Sequence, residues 1–200
     1  ATFNDTDNNL SIYINTDNNV VTLNGVSKVQ VADIIATNGV IHVVDKVIDL
    51  PTVVDFAIAN PNFSTLVSAL TRSDLTFDFV GTLSTPIGTS PAPFTVFAPT
   101  NAAFSELLTE LNFNSLSAIP EPTLKATLNH HAVAGANVRS TGLSNNMTVG
   151  TLGGNITANI AGGATLTDAN NRISKIIAVD VQANNGVIHV IDKVILPNLN

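Results

Sequence analysis

The chain has 200 residues, of which 44% are hydrophobic and 12% are charged, and its formal net charge is −7. A chain of this size and apolar content can bury one or two cores, and without any cluster of Lys and Arg it is poorly suited to nucleic acid, whose phosphates supply most of that binding affinity. The lack of cysteine excludes disulfides and thiol chemistry, and no apolar run reaches the roughly 20 residues of a membrane-spanning helix.

Residues 1–50 are short apolar runs separated by polar turns, which is the pattern of a meander of strands. Leu10–Ile14 is expected to form a strand, and the turns around it are rich in Asn and Asp. Residues 38–51 then read NGVIHVVDKVIDLP. Asn-Gly marks a turn, and the β-branched run bounded by Pro predicts another strand.

From Pro51 the apolar residues take helical spacing. Thr52 is placed to cap a short helix, and a second helix begins at Pro61-Asn62. Ser73 or Asp74 is expected to cap a third helix. Residues 84–93 contain three prolines and a glycine, so this segment is predicted to be a loop.

Residues 94–143 continue with a strand and two further helices. The strand covers 94–97 and ends at Pro99, and Thr100-Asn101 caps the helix that follows. The second helix begins near Glu121, and Gly135 is expected to close it. The chain then returns to the β pattern.

Residues 185–197 read NGVIHVIDKVILP and almost repeat residues 38–51. A repeat this close indicates two related units. Alternation places Val187 and His189 on one face of the strand and Ile188 on the other, so the strand is predicted to be buried on both sides. The likeness extends backwards along the chain. Residues 1–50 therefore correspond to the C-terminal β part of residues 51–200.

Three stretches resemble the hallmarks of the fasciclin-like domain family: TVFAPTNAAF at 95–104, HHAVAG at 130–135 and NGVIHVIDKVILP at 185–197. They occur in the family's order and approximate spacing. Two positions depart from the pattern, because His130 stands where the family often has Tyr and Ala134 stands where Pro is common. The motif residues are Thr95, Phe97, Pro99, Thr100, Phe104, His130, His131, Gly135, Asn185, Gly186, His189 and Asp192, with Asn38, Gly39, His42 and Asp45 in the first copy.

The resemblance implies an α+β fold, a wedge-shaped β-sandwich packed with helices. Residues 51–200 would form one complete domain, and residues 1–50 the C-terminal β part of another. It further implies a non-enzymatic adhesion or structural module, secreted or at the cell surface, whose partners are other proteins, matrix components or copies of itself. No cofactor is implied. The alternative is a binding module for a polysaccharide or a small apolar molecule, held near residues 84–93 or between the domains.

The residues offer little for catalysis. His131 is expected to be buried and hydrogen-bonded to backbone, with His130 half exposed. His189 and Asp192 lie three apart on a strand and face opposite sides, so they cannot act as an acid–base pair. The chain has none of the common nucleophile, zinc-protease or phosphate-loop motifs, which indicates that it is not an enzyme.

Three smaller features concern the surface. Asp5, Asp7 and Asn9 could offer oxygens to calcium, but the glycine and distal glutamate of a calcium loop are missing, so the sequence predicts no metal site. Having no Trp and a single Tyr argues against carbohydrate binding, because sugars are commonly gripped by exposed aromatic rings. Asn-x-Ser/Thr sequons begin at Asn4, Asn9, Asn62, Asn146 and Asn155.

A half domain made mostly of strands raises a physical difficulty. One sheet face would lack a cover and the edges would lack partners, which favours association. One expectation is that the natural chain continues upstream of Ala1. The other is that the exposed half pairs with another copy, as a swapped dimer or a head-to-tail fibre.

Overall fold

The computed structural model describes residues 9–198, which form an α+β fold with two sheets. The first sheet has the order β1-β2-β3-β4 and the second the order β6-β5-β11-β10-β9-β8-β7. Their strands are β1 (Ile14–Asp17), β2 (Val20–Leu23), β3 (Ser27–Ala36), β4 (Gly39–Val44), β5 (Phe94–Pro99), β6 (Ala132–Ala134), β7 (Met147–Thr151), β8 (Gly154–Asn159), β9 (Thr165–Thr167), β10 (Ile173–Ala183) and β11 (Gly186–Ile191).

Five short α-helices accompany the larger sheet. They are α1 (Val53–Ala59), α2 (Ser64–Leu70), α3 (Phe79–Leu83), α4 (Asn101–Glu110) and α5 (Glu121–Asn129). Single 3₁₀ turns occur at Pro61–Phe63, Leu116–Ala118 and Ser140–Gly142. No helix within residues 9–198 has the length and apolar character needed to cross a bilayer.

The helix caps agree with the sequence in two of three cases. Thr52 forms a reciprocal capping box with Asp55 at α1, and Thr100 caps α4 by accepting from the Ala103 amide at 3.2 Å. The expected cap of the third helix was wrong. That helix begins only at Phe79 and is capped by Asp78, because Asp74 is held by Arg72 through a 2.6 Å ion pair.

The ends of two other elements differ from expectation. α5 ends at Asn129, and residues 132–134 form β6, so Gly135 follows a strand and does not close the helix. Gly135 instead has φ +75° and donates its amide to the Pro91 carbonyl. Near the N-terminus the strand is β1, displaced from residues 10–14, because Asn18 and Asn19 both take positive φ and make the hairpin turn.

The centre of the large sheet is the parallel pair β5–β11, in which Gly186 lies opposite Phe94 and Ile191 opposite Pro99. The two faces of this pair contribute to two separate cores. One core lies under the helices and includes Phe94, Phe104, Leu124 and Ile188. The other lies beneath β7, β8 and β9 and includes Phe97, Ile156, Leu166 and Ile191. The expectation that the strand after Asn185 is buried on both sides is confirmed.

The small sheet touches the larger unit over a limited area. Ser11 exchanges two hydrogen bonds with Gln182, at 2.9 and 3.0 Å, and the Asn184 amide donates to the Pro51 carbonyl. Gly25 approaches Ala59 so closely that a Cβ there would lie 2.8 Å from the Ala59 Cβ. Among residues 9–50, Tyr13 alone packs against either core.

Candidate functional site

The candidate site is a β-hairpin that occurs twice in the chain in opposite surroundings. We call residues 27–48, which contain β3 and β4, the open hairpin. We call residues 174–195, which lie in and after β10 and β11, the covered hairpin. Their comparison shows which features belong to the local sequence and which depend on the rest of the domain.

The two hairpins share their backbone geometry. Both carry register shifts at equivalent places, after Val29 and Val31 in one and after Ile176 and Ala178 in the other. Such bulges bend and twist a strand pair. The left-handed residue next to the bulge is Asp33 with φ 59° in the open hairpin and Asp180 with φ 60° in the covered one.

They also share their local hydrogen bonds. The Lys28 amide donates to Asp45 Oδ1 at 2.8 Å, and the Lys175 amide donates to Asp192 Oδ1 at 2.7 Å. These carboxylates therefore fasten the open end of each hairpin. Asp45 and Asp192 therefore keep this structural role without a partner from outside the hairpin.

Asn185 and Gly186 anchor the covered hairpin to the helices and to β5. Asn185 Oδ1 accepts from the Val53 amide at 2.9 Å, and its Nδ2 donates to the carbonyls of Leu83 and Thr85 at 2.8 and 3.0 Å. A Cβ on Gly186 would collide with the Phe94 carbonyl. The glycine thus allows β5 to approach, while the amide ties three separate segments together.

His189 makes the third set of contacts. Its Nε2 donates to the Val138 carbonyl at 2.8 Å, and its ring stacks on Phe97 with the centroids 5.7 Å apart. Burial lowers the pKa of His189, which keeps the imidazole neutral. The side chain of His189 therefore has a structural role. Because it donates to a backbone carbonyl and not to a carboxylate, it is poorly suited to proton transfer.

The same residue types in the open hairpin are exposed. Asn38 and His42 lie on the surface, and nothing lies within 4 Å of the place where a Cβ on Gly39 would stand. His42 keeps the local contact, in which its Nδ1 accepts from the Asp33 amide at 3.2 Å. Within the described residues, no element equivalent to α1, to β5 or to the loop around Val138 covers Asn38, Gly39 or His42.

The apolar side chains show the contrast most directly. Val47 is 82% exposed while its equivalent Val194 is fully buried, and Val40 is 55% exposed where Val187 is fully buried. The exposed apolar residues of the open hairpin are Val31, Ile34, Ile35, Val40, Ile41, Val43, Val47 and Ile48. Groups of exposed apolar side chains are typical of surfaces that bind another molecule.

The motif at residues 95–104 is structural. Thr95 is buried, donates to the Ala136 carbonyl and accepts from the Val138 amide, both at 2.8 Å, so it fixes the loop that reaches His189. Pro99 ends β5, and Phe104 is buried in the helical core. The motif therefore positions the loop that covers the hairpin.

His130 and His131 are both buried. His131 Nδ1 donates to the Thr127 carbonyl at 2.7 Å, as the sequence predicts, and its Nε2 accepts from the Ile195 amide at 3.0 Å. Burial lowers the pKa of His131 to about 4. The expectation that His130 is half exposed was wrong, because Gly153 packs directly against its ring and the ring donates to the Ala126 carbonyl.

A buried ionic network at the C-terminal segment was not foreseen. Asp168 accepts from the Leu196 amide at 3.0 Å and pairs with Arg172 at 3.1 Å, and Arg172 also donates to the Val194 carbonyl. With His131 on the other side, these groups hold residues 194–196 against the sheet. The signal in the sequence was weak, because Asp168 lies in an Asx-rich turn that reads as ordinary loop chemistry.

Nothing in residues 9–198 assembles a metal centre of three His, Cys, Asp or Glu side chains. Asp5 and Asp7 of the calcium alternative lie outside the described residues. A cleft of about 330 Å³ lies between the small sheet and α1, lined partly by Asn24, Asp49, Asp55 and Ile58. Its walls are mixed polar and apolar.

Comparison with known proteins places this geometry in a family. The model of the Fasciclin domain matches residues 2–51 and 61–197. The chain is 36% identical over 148 residues to the uncharacterised protein sll1735 of Synechocystis sp., covering 74% of this chain and 98% of that protein. It is 31% identical over 201 residues to human periostin, covering 96% of this chain but only 21% of periostin.

A further relative is the transforming growth factor-beta-induced protein ig-h3 of Sus scrofa, which is 32% identical over 183 residues, with 90% of this chain and 25% of that protein covered. Among solved structures, a FAS1 domain pair from the insect cell adhesion molecule Fasciclin I matches with a TM-score of 0.62 and 21% identity, covering 94% of this chain and 67% of that one. The chain belongs to the fasciclin domain family.

Proposed function

We propose that the protein is a non-enzymatic adhesion or structural module, outside the cell or on its surface, that acts through protein–protein contacts. The module is built of tandem fasciclin-like domains, with residues 1–50 as the C-terminal β part of one domain and residues 51–200 as a complete second domain. The observation that carries the proposal is the open hairpin, whose apolar surface on both faces and one edge fits another protein.

The motif residues support the absence of catalysis. The imidazoles of His130, His131 and His189 each donate to a backbone carbonyl inside the fold. The relatives point the same way, since the matched insect protein is named as a cell adhesion molecule. A family likeness alone carries function only to this level of class.

The alternative is a ligand-binding module, and the cleft between the two units is the feature that favours it. Its volume is at the lower end of small-molecule sites. Its lining contains no Trp or Phe, which suits neither a sugar nor a large apolar ligand. The protein-contact function therefore accounts for more of the surface.

Attachment of protein-coated beads to a layer of extracellular matrix tests the proposal. We expect attachment that Ile35→Lys reduces several-fold, because Ile35 is 85% exposed on the open hairpin. Ile177→Lys is the matched control, since Ile177 is an exposed strand residue of the same type on the other unit. A glycan array is expected to show no signal. Glycan binding without bead attachment would support the alternative and refute adhesion.

A further inference from the structure

We propose that Asn38 is a site of spontaneous deamidation, at which the open hairpin acquires a carboxylate and loses affinity for its protein partner. The modification itself needs only water and the chain. Its effect on attachment rests on the proposed function, because it takes the open hairpin as the contact surface.

The reaction joins the side chain of Asn38 to the backbone nitrogen of Gly39. Once that nitrogen has lost its proton to hydroxide, it attacks Cγ of Asn38. The new N–Cγ bond closes a cyclic imide, and the Cγ–Nδ2 bond breaks with release of ammonia. Water then opens the imide at either of its two carbonyls, which leaves aspartate or isoaspartate. Glycine in the second position favours the attack, because it has no Cβ to hinder it and its backbone is permissive.

The sequence contains the pair Asn-Gly three times, at 24–25, 38–39 and 185–186. The first pair is held by the fold. Asn24 is buried, and its side-chain amide accepts from the Tyr13 N–H at 2.9 Å and donates to the Asp49 carbonyl at 3.5 Å. The Asn24 side chain is therefore not free to meet the next nitrogen.

The other two pairs share their sequence and their backbone pairing. Asn38 and Asn185 each stand second in a two-residue turn, which the strand pair 36–39 closes in one hairpin and 183–186 closes in the other. Asn185 is fully buried and its side chain makes three hydrogen bonds. Asn38 is exposed, and among the described residues its side chain has no hydrogen-bond partner.

The turn at Asn38 is also the easier one to open. The attack requires rotation of the backbone between the asparagine and the glycine. Nothing lies within 4 Å of a Cβ position on Gly39, whereas Gly186 lies directly against the Phe94 carbonyl. Deamidation of Asn185 would further bury a carboxylate against two carbonyl oxygens. Since the local sequence is shared, the surroundings alone are expected to make Asn38 the reactive site.

The product changes the open hairpin where its apolar side chains are exposed. Ile35 and Val40 form a cross-strand pair next to the turn and are 85% and 55% exposed. A partner that covers these side chains has to desolvate a carboxylate at residue 38, which is unfavourable unless the partner supplies a cation. Isoaspartate also lengthens the main chain in the turn. Both products are therefore expected to weaken attachment.

The test incubates the folded protein in mildly alkaline buffer and follows the three asparagines by mass spectrometry of digested samples. We expect Asn38 to deamidate at least about 100-fold faster than Asn24 or Asn185, because these two react only when the structure around them opens. In concentrated urea the three rates should converge. Equal rates at Asn38 and Asn185 in the folded protein would overturn the inference.

Two variants test the route. Gly39→Ala is expected to slow deamidation of Asn38 several-fold, because the added Cβ hinders the attacking nitrogen while the open space around it leaves the fold intact. Thr37→Ala is the matched control, since it changes an exposed residue of the same turn and leaves both reacting groups in place. An unaltered rate in Gly39→Ala would contradict attack by the glycine nitrogen and overturn the inference.

Bead attachment is scored separately from deamidation. We expect Asn38→Asp to attach several-fold more weakly than the unmodified protein and Asn38→Ser, a neutral control, to attach equally well. Equal attachment of Asn38→Asp would refute the effect on the contact surface. Deamidation of Asn38 with no attachment by any form would sustain the modification site and refute the adhesive function. Attachment without deamidation of Asn38 would sustain adhesion and overturn the inference.

Discussion

The open and covered hairpins have nearly the same sequence and the same backbone, yet one is on the surface and the other in the interior. Val47 and Val194 occupy equivalent places, but Val47 is 82% exposed and Val194 is 0% exposed. The comparison separates two kinds of information in one motif. The bulges, the turn and the hydrogen bonds that Asp45 and Asp192 accept from lysine amides are determined by the local sequence. Burial instead depends on helices and a strand that lie far away in the sequence.

The largest expected effect comes from the asparagines. Asn185→Ala should lower the free energy of unfolding of the protein by about 4 kcal/mol, because it leaves the Val53 amide and two buried carbonyls without partners. Asn38→Ala should change it by less than about 0.5 kcal/mol, as for other exposed positions. Urea unfolding followed by far-ultraviolet circular dichroism measures both. Equal losses would mean that Asn38 also has a partner.

Acidification should have the next largest effect, through His131. The pKa of His131 falls from an ordinary 6.5 to about 4 because the ring is buried, so the unfolded chain takes up a proton at a higher pH than the folded chain. Stability is therefore fully present above pH 6.5 and is lost as the pH falls towards 4, by about 3 kcal/mol.

The electrostatic neighbours of His131 are His130, Asp168 and Arg172. Protonation would put a donor at Nε2 against the Ile195 amide, which is itself a donor. His131→Gln should flatten the pH profile between 6.5 and 4, whereas an unchanged profile would assign the loss to other groups. Urea midpoints at a series of pH values make the measurement.

The histidines of the two hairpins should differ by a smaller margin. His189→Ala removes a stacked, hydrogen-bonded ring from the interior and should cost about 2 kcal/mol. His42→Ala should cost less than about 0.5 kcal/mol in the 200-residue chain. Thermal unfolding of the matched pair is sufficient, and a cost for His42 comparable to that of His189 would contradict the exposure of the open hairpin.

The smallest difference between the two hairpins should be at the aspartates that accept from the lysine amides. Asp45→Ala and Asp192→Ala each remove one local bond to a lysine amide, so each should cost about 1 kcal/mol. Hydrogen exchange of the Lys28 and Lys175 amides reports each bond separately. A much larger effect at Asp192 would show that this hydrogen bond also depends on residues outside the hairpin.

Much of the fold follows from sequence patterns with a local cause. Thr52 and Thr100 were predicted as caps because a hydroxyl before an apolar helical stripe has one common role. The two hairpins were predicted as equivalent because a near-identical run is hard to obtain by chance. The α+β class followed from the resemblance and is confirmed.

The failures depended on contacts that the sequence does not show. Asp78 and Asp74 are both acceptable caps, and the choice was made by Arg72, which holds Asp74. His130 is buried by Gly153, far along the chain on the turn between β7 and β8. The sequence predicts an uncovered sheet face in residues 1–50, but it does not predict which residues are exposed, because the same residue types are buried in the second copy.

The parallel pairing of β5 with β11 also has a kinetic consequence. β10 and β11 adjoin in sequence and can zip up within microseconds, but β5 was synthesised about 90 residues earlier and must find β11 across a long loop. Loop closure of this kind slows folding, so one edge of β5 stays unpaired until the last strand leaves the ribosome, even after β6 has paired with the other edge. Protection of nascent chains by chaperones is therefore expected to be most needed between the synthesis of residues 99 and 191.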